Sequence, residues 1–156
     1  MDLSIENTLD KGIEAHKAGQ IRKADTLYTN ILNSNPMHPD ANHNKGVLMA
    51  SNGQVEEALP FFEKALKANF RVAQFWHSYI ETLIKLNRFT KAKEVLAQAR
   101  DLGDIGQGLD ELDKWIEQQT LAVLNKPPNK QQRSSILDTV GVEKALRLAE
   151  KNTKDG

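Results

Sequence analysis

The sequence predicts an all-α fold, an α-α superhelix of three helix-turn-helix repeats, and three observations carry the prediction. The first is an internal period of 34 residues, a length that marks stacked arrays. Gly12 recurs as Gly46 and Gly19 as Gly53, with Ile80 and Asn87 at the third occurrence. Ala24, Ala58 and Ala92 keep the same spacing, as do Tyr28, Phe62 and Leu96, then Ile31, Ala65 and Ala99, then Ile21, Val55 and Phe89. The second observation is apolar spacing: Ala58, Phe61, Phe62, Ala65 and Leu66 make one helical stripe, while Glu56, Glu57, Glu63, Lys64 and Lys67 take the other faces. The third is the column Gly19, Gly53 and Asn87, residue types that tolerate a left-handed helix stop.

Each unit therefore reads as an antiparallel pair of helices. Columns of small residues let the helices approach closely, and the neighbouring aromatics fill the space between them. Pro60 deletes one backbone bond to Glu56 without ending its helix.

These columns resemble the tetratricopeptide repeat, a helix-turn-helix unit that stacks into a right-handed superhelix with a concave groove. On that resemblance the units fall at 5–38, 39–72 and 73–106. The family's small, alanine, aromatic and proline columns are met by Gly12, Ala24, Tyr28 and Pro36 in the first unit. Gly46, Ala58, Phe62 and Ala65 meet them in the second, and Trp76, Tyr79, Phe89, Ala92 and Ala99 carry the third. Thr8 and Asn42 depart from the pattern, standing where a large aromatic is usual, and Lys11 and Lys45 stand where leucine is usual. A lysine is almost never fully buried without a partner, so either these stems snorkel or the first helices pack loosely. The amino-terminal edge is accordingly expected to be the weaker one.

After the third unit, Leu109, Leu112, Trp115, Ile116 and Val123 form a stripe that predicts a capping helix over 107–124, its first turn favoured by Asp110, Glu111 and Asp113. Residues 125–134, with two prolines and no apolar period, read as a linker. Residues 135–156 read as a further C-terminal helix, with Val142, Ala145, Leu146, Leu148 and Ala149 apolar. Ala149 and Gly156 stand seven apart, as Gly12 and Gly19 do. That spacing suggests the first helix of a truncated further repeat, and so an amino-terminal piece of a longer protein. A homodimer through 135–156 is one way to cover its stripe.

Composition removes whole classes of function. The formal net charge is zero, from 21 basic and 21 acidic residues, which argues against a nucleic-acid or anionic-membrane partner. Without cysteine there is no disulfide, thiolate metal site or cysteine nucleophile. The start MDLSIENTLDKG has acids where a secretory signal carries lysines, and no long apolar run follows, which predicts a soluble, cytoplasmic protein.

No phosphate loop, dinucleotide turn, HExxH, EF-hand or GxSxG motif occurs. The sequence thus points to no catalytic residue, no cofactor-binding residue and no metal site, and the chain reads as a non-enzyme. His43 and His77 occupy one column of successive first helices. A metal there would need a further ligand, Asp40 or Glu81; the simpler reading has both rings contact a peptide or water. His38, between two prolines, reads as a turn residue.

The resemblance implies a groove lined by Leu9, Asp10 and Ile13 from the first unit, by Asp40, His43, Asn44 and Val47 from the second, and by Gln74, His77, Ser78, Glu81, Ile84 and Lys85 from the third. Family members that clamp the carboxylate end of chaperone tails place lysine, asparagine and other basic residues where this chain has Leu9, Ile13, Gln74 and Ser78. Of that clamp only Asn44 agrees, which argues against such a ligand. The expected function is a protein-protein interaction module binding an extended or helical peptide. A second reading makes the array the recruiting arm of a larger transferase, because FWHSYIETLIKLNRFTKAKEVLAQARDLG also resembles arrays preceding bacterial glycosyltransferase, sulfotransferase or methyltransferase domains. A third is self-assembly through the last helix.

Overall fold

The computed structural model describes residues 3–102 and 109–125. They form seven helices and, among the described residues, no strand: α1 (Leu3–Lys17), α2 (Ile21–Ser34), α3 (Pro39–Ser51), α4 (Val55–Ala68), α5 (Ala73–Lys85), α6 (Phe89–Asp101) and α7 (Leu109–Asn125). Each helix packs on the next in the chain, and α1, α3, α5 and α7 also touch in succession. The result is an all-α helical repeat solenoid. Of the linker expected over 125–134 and the last helix expected over 135–156, Asn125 ends α7 and the remainder lies outside the described residues.

Three equivalent turns create the hairpins. Gly19, Gly53 and Asn87 have φ of 71°, 86° and 56°, the left-handed conformation that ends a helix at little steric cost for glycine or asparagine. In each turn two amides close back on the helix. The N–H groups of Gly19 and Gln20 donate to the carbonyls of His16 and Ala15 (3.0 and 2.8 Å). Those of Gly53 and Gln54 donate to Ala50 and Met49 (3.3 and 2.9 Å), and those of Asn87 and Arg88 to Ile84 and Leu83 (2.9 and 2.8 Å). This is the paired Schellman pattern, repeated three times.

Helix contact is set by the glycine column. A Cβ on Gly12 would lie 2.6 Å from Cε1 of Tyr28, and one on Gly46 would lie 2.8 Å from Cε1 of Phe62. The aromatic rings thus lie flush against bare backbone, and both are fully buried. Burying such a ring stabilises the fold by about 1.5–3 kcal/mol. In the third unit Ile80 and Leu96, both buried, replace the small-large pair by two mid-sized residues. In α4 Leu59 is buried where the stripe expected Phe61; Phe61 is half-buried, with the Lys64 ammonium 5.8 Å from its ring centre. The helix runs unbroken through Pro60.

The family-pattern departures have specific explanations. Asn42, fully buried, donates from Nδ2 to the carbonyls of Pro36 (3.0 Å) and His38 (2.9 Å). Trp76, one period later, donates from Nε1 to the carbonyl of Phe70 at 2.7 Å, so the small amide does the aromatic's work on the preceding loop. Lys45 does not snorkel into solvent: its ammonium bonds the Asp25 carboxylate and the Thr29 hydroxyl (2.9 Å) of α2. Tyr79, one period on, donates to Oε1 of Glu63 on α4 at 2.7 Å. One further period brings Asp113 of α7, which accepts from Arg100 of α6 at 2.9 Å, with Asp110 taking a second bond at 2.8 Å. Lys11, first in this column, is exposed.

The core itself is unequal. Buried residues from Ala58 to Ile116 form one large cluster, whereas Ala15, Ala24, Tyr28 and Leu48 form a small separate one. α7 closes the large cluster with Leu109, Leu112 and Ile116 and turns Asp110, Glu111, Lys114, Glu117 and Gln118 outward. No helix among the described residues is long and apolar enough to cross a membrane.

Two measurements follow from this packing. Gly46→Ala gains about 1 kcal/mol of helix propensity but overpacks Phe62 by about 1–3 kcal/mol, so denaturant unfolding should show a net loss of about 1 kcal/mol. Tyr28 and Tyr79 should respond oppositely to removal of their hydroxyls. The Tyr28 hydroxyl is buried without a hydrogen-bond partner among the described residues, and burial pushes its phenol up to about 12. Tyr28→Phe should therefore leave stability unchanged or raise it by up to about 1 kcal/mol, whereas Tyr79→Phe, which loses the bond to Glu63, should cost about 1 kcal/mol.

Candidate functional site

The first helices α1, α3 and α5 stand side by side and form one wall of the solenoid. Along α1, Leu9 and Ile13 are half-buried against the small core cluster, and Asp10 is exposed. Along α3, Asn44 and Val47 are half-buried and Asp40 is exposed. Along α5, Gln74, His77 and Lys85 are exposed, and Ser78 and Glu81 are half-buried. Glu81 is bracketed on its own helix: Lys85 Nζ lies 3.0 Å from one carboxylate oxygen and His77 Nδ1 3.9 Å from the other. The side chains of Asn44 and Gln74 make no hydrogen bond or ion pair among the described residues.

Two residues expected on the open wall lie elsewhere. Ile84 is 4 % exposed and belongs to the large core, because α5 is covered on more than one side by α4, α6 and α7. His43 is 5 % exposed. Its ring stacks on Phe75 of α5, centres 4.7 Å apart and planes inclined by 27°, and meets Phe62 of α4 at 5.9 Å. Its Nε2 lies 2.9 Å from Oγ of Ser78, so the imidazole joins α3 to α5. Burial pulls the His43 pKa below the ordinary histidine value, with the Asp40 carboxylate acting against the shift. Burial likewise lowers His16, whose ring meets the edge of Tyr28 at 6.4 Å. The contact that engages His43 is thus Ser78 rather than His77, and no group of three or more His, Asp or Glu that could hold a metal occurs among the described residues. His38 caps α3, its Nδ1 accepting from the Ala41 N–H at 3.2 Å.

Sequence reasoning passed over Phe75, which forms one side of the His43 slot; the adjacent aromatics Phe75 and Trp76 opening α5 were the available signal. It also passed over a cleft of about 350 Å³ lined by Leu59 and Glu63 of α4, Tyr79 and Leu83 of α5, and Arg88, Thr90 and Lys91 around the start of α6. Its polar groups are engaged: Tyr79 with Glu63, Arg88 with Glu56, and Lys91 with Glu94 at 3.2 Å.

Comparison with known proteins agrees with this geometry. Residues 49–104 match the tetratricopeptide repeat family. No curated protein sequence matches the chain. Among solved structures, the TPR2B domain of yeast Sti1, in complex with pHsp70, superimposes with a TM-score of 0.68 at 18 % identity, covering 78 % of this chain and 99 % of that one. The Sgt2 TPR domain from Aspergillus fumigatus gives 0.64 at 22 % identity, covering 82 % and 87 %. The Naa15/Naa10 structure bound to HypK-THB gives 0.54 at 22 % identity, covering 95 % of this chain but 24 % of the other. The segment 49–104 is thus similar to the tetratricopeptide repeat, and the described chain shares the all-α helical repeat solenoid fold of these structures.

Proposed function

We propose that this chain is a protein-interaction module that holds an extended or helical peptide along the wall formed by α1, α3 and α5 and performs no chemistry of its own. The observation that carries the reading is the pairing, on that wall, of half-buried apolar side chains with polar ones that make no side-chain hydrogen bond or ion pair among the described residues. Leu9, Ile13 and Val47 are half-buried, and Asn44 and Gln74 remain available to a ligand's backbone amides. A solved structure of the same fold, the Sti1 domain, is a complex with pHsp70, which supports a peptide-binding use of the fold. The ligand differs in chemistry from an acidic chain end, since Leu9, Ile13, Gln74 and Ser78 stand in place of the basic and amide groups that hold a carboxylate.

A wall of this size should bind in the micromolar range, about −8 kcal/mol. Random twelve-residue peptides displayed on phage and selected on the immobilised chain supply probes, whose affinities are read by fluorescence polarisation. Asn44→Ala and His77→Ala should each weaken the selected peptides at least fivefold. Unchanged affinity in both variants would move the site away from this wall.

A further inference from the structure

The buried polar or charged side chains of the described chain are Asn42, His43 and Thr82. Asn42 bonds the loop before it, and Thr82 donates to the carbonyl of Ser78 one turn earlier. His43 differs from both, because its partner Ser78 is a side chain on another helix. It sits where the second and third units meet, and the ring fills the space between Phe62 of α4 and Phe75 of α5.

A neutral imidazole suits this slot. A serine hydroxyl both donates and accepts, so either tautomer completes the Nε2 to Oγ bond. An imidazolium would carry a charge on a ring that is 5 % exposed and packed between two phenyl rings, and water reaches it poorly there. The groups facing His43 are Phe62 from α4, Phe75 and Ser78 from α5, and Asp40 on its own helix. Of these only Asp40 carries charge, and it is exposed. Protonation therefore favours withdrawal of the ring toward Asp40 and water, which leaves Ser78 unpaired and a gap between two aromatic rings.

We propose that the His43–Ser78 junction makes the α1–α3–α5 wall acid-sensitive, protonation of His43 releasing α5 from α3 and breaking the continuous surface on which a peptide would lie. This regulation rests on the binding role proposed for the wall. The direction of the shift agrees with it: burial holds His43 below its ordinary value of 6.5. The closed junction is fully stabilised above pH 6.5 and loses that contribution as pH falls from 6.5 through the lowered pKa. Its opening constant rises by up to tenfold for each unit by which that pKa is depressed.

The test uses the free full chain, with no peptide, so that it stands apart from the binding experiment. Histidine Cε1–H signals and backbone amide exchange, corrected for intrinsic rates, are followed by NMR from pH 7.5 to 5. The His43 midpoint should lie below 6.5, and exchange within 75–84 should accelerate severalfold below that pH. In His43→Gln, which can still bond Ser78 but does not titrate, the acceleration should vanish; in His16→Gln it should persist. A His43 midpoint at or above 6.5 overturns the proposal even if the glutamine variant does not fold, as does equal acceleration in wild type and His43→Gln. An acid-insensitive wall that still binds selected peptides would sink this inference alone.

Discussion

The structure depends on how closely the two helices of each hairpin approach. At Gly12 and Gly46 the backbone of a first helix lies against an aromatic face of its partner, with no room for a methyl group. In those two hairpins Ala24 and Ala58 stand at zero exposure. The third unit reaches a similar core with Ile80 and Leu96, which shows that summed volume across the pair matters more than the identity of either member. The left-handed turns then follow as a requirement: helices this close need a short reversal, and glycine or asparagine is the residue type that supplies it.

Between hairpins the constraint changes character. The amino-terminal hairpin shares a small apolar cluster with Leu48 of α3, and a lysine bonded to an aspartate and a threonine adds a polar link across the same junction. The second and third units share one large apolar cluster, into which a single imidazole is wedged. The wall of first helices is therefore built from joints of different hardness. The joint at His43 combines close aromatic packing with a titratable centre, a pairing that elsewhere in proteins converts acidity into movement.

What could be read from the residues alone was what depends on local or periodic information. The turn column was legible because left-handed tolerance belongs to single residues, and the helix pairs were legible because Gly12 with Tyr28 and Gly46 with Phe62 repeat at one spacing. The capping stripe of α7 was legible for the same reason, since Leu109, Leu112 and Ile116 keep helical period. The fate of His43 was not, because Phe62, Phe75 and Ser78 come from two other helices and their meeting depends on how the units rotate against each other. Ile84 was assigned to the open wall by its place in the repeat, but the third unit is covered on more sides than the first two, and the residue went inside. Lys45 and Asn42 looked like flaws because each was compared with an apolar norm; their hydrogen-bonding reach across a helix or a loop was the property that mattered.

The column of Lys45, Tyr79 and Asp113 has one more consequence, concerning assembly of the array during folding. A chain of near-identical hairpins can stack its units in the wrong order, because each apolar face resembles the next. The three cross-helix contacts are chemically distinct: an ammonium to an aspartate and a threonine, a phenol to a glutamate, and an arginine to two aspartates. Were α7 to dock on α2, Asp113 would be brought toward Asp25 and two like charges would oppose each other; were α5 to dock there, Tyr79 would forfeit Glu63 and Lys45 its aspartate. Each junction is thus marked by its own polar groups, and stacking the same hydrophobic units in another order would forfeit those bonds.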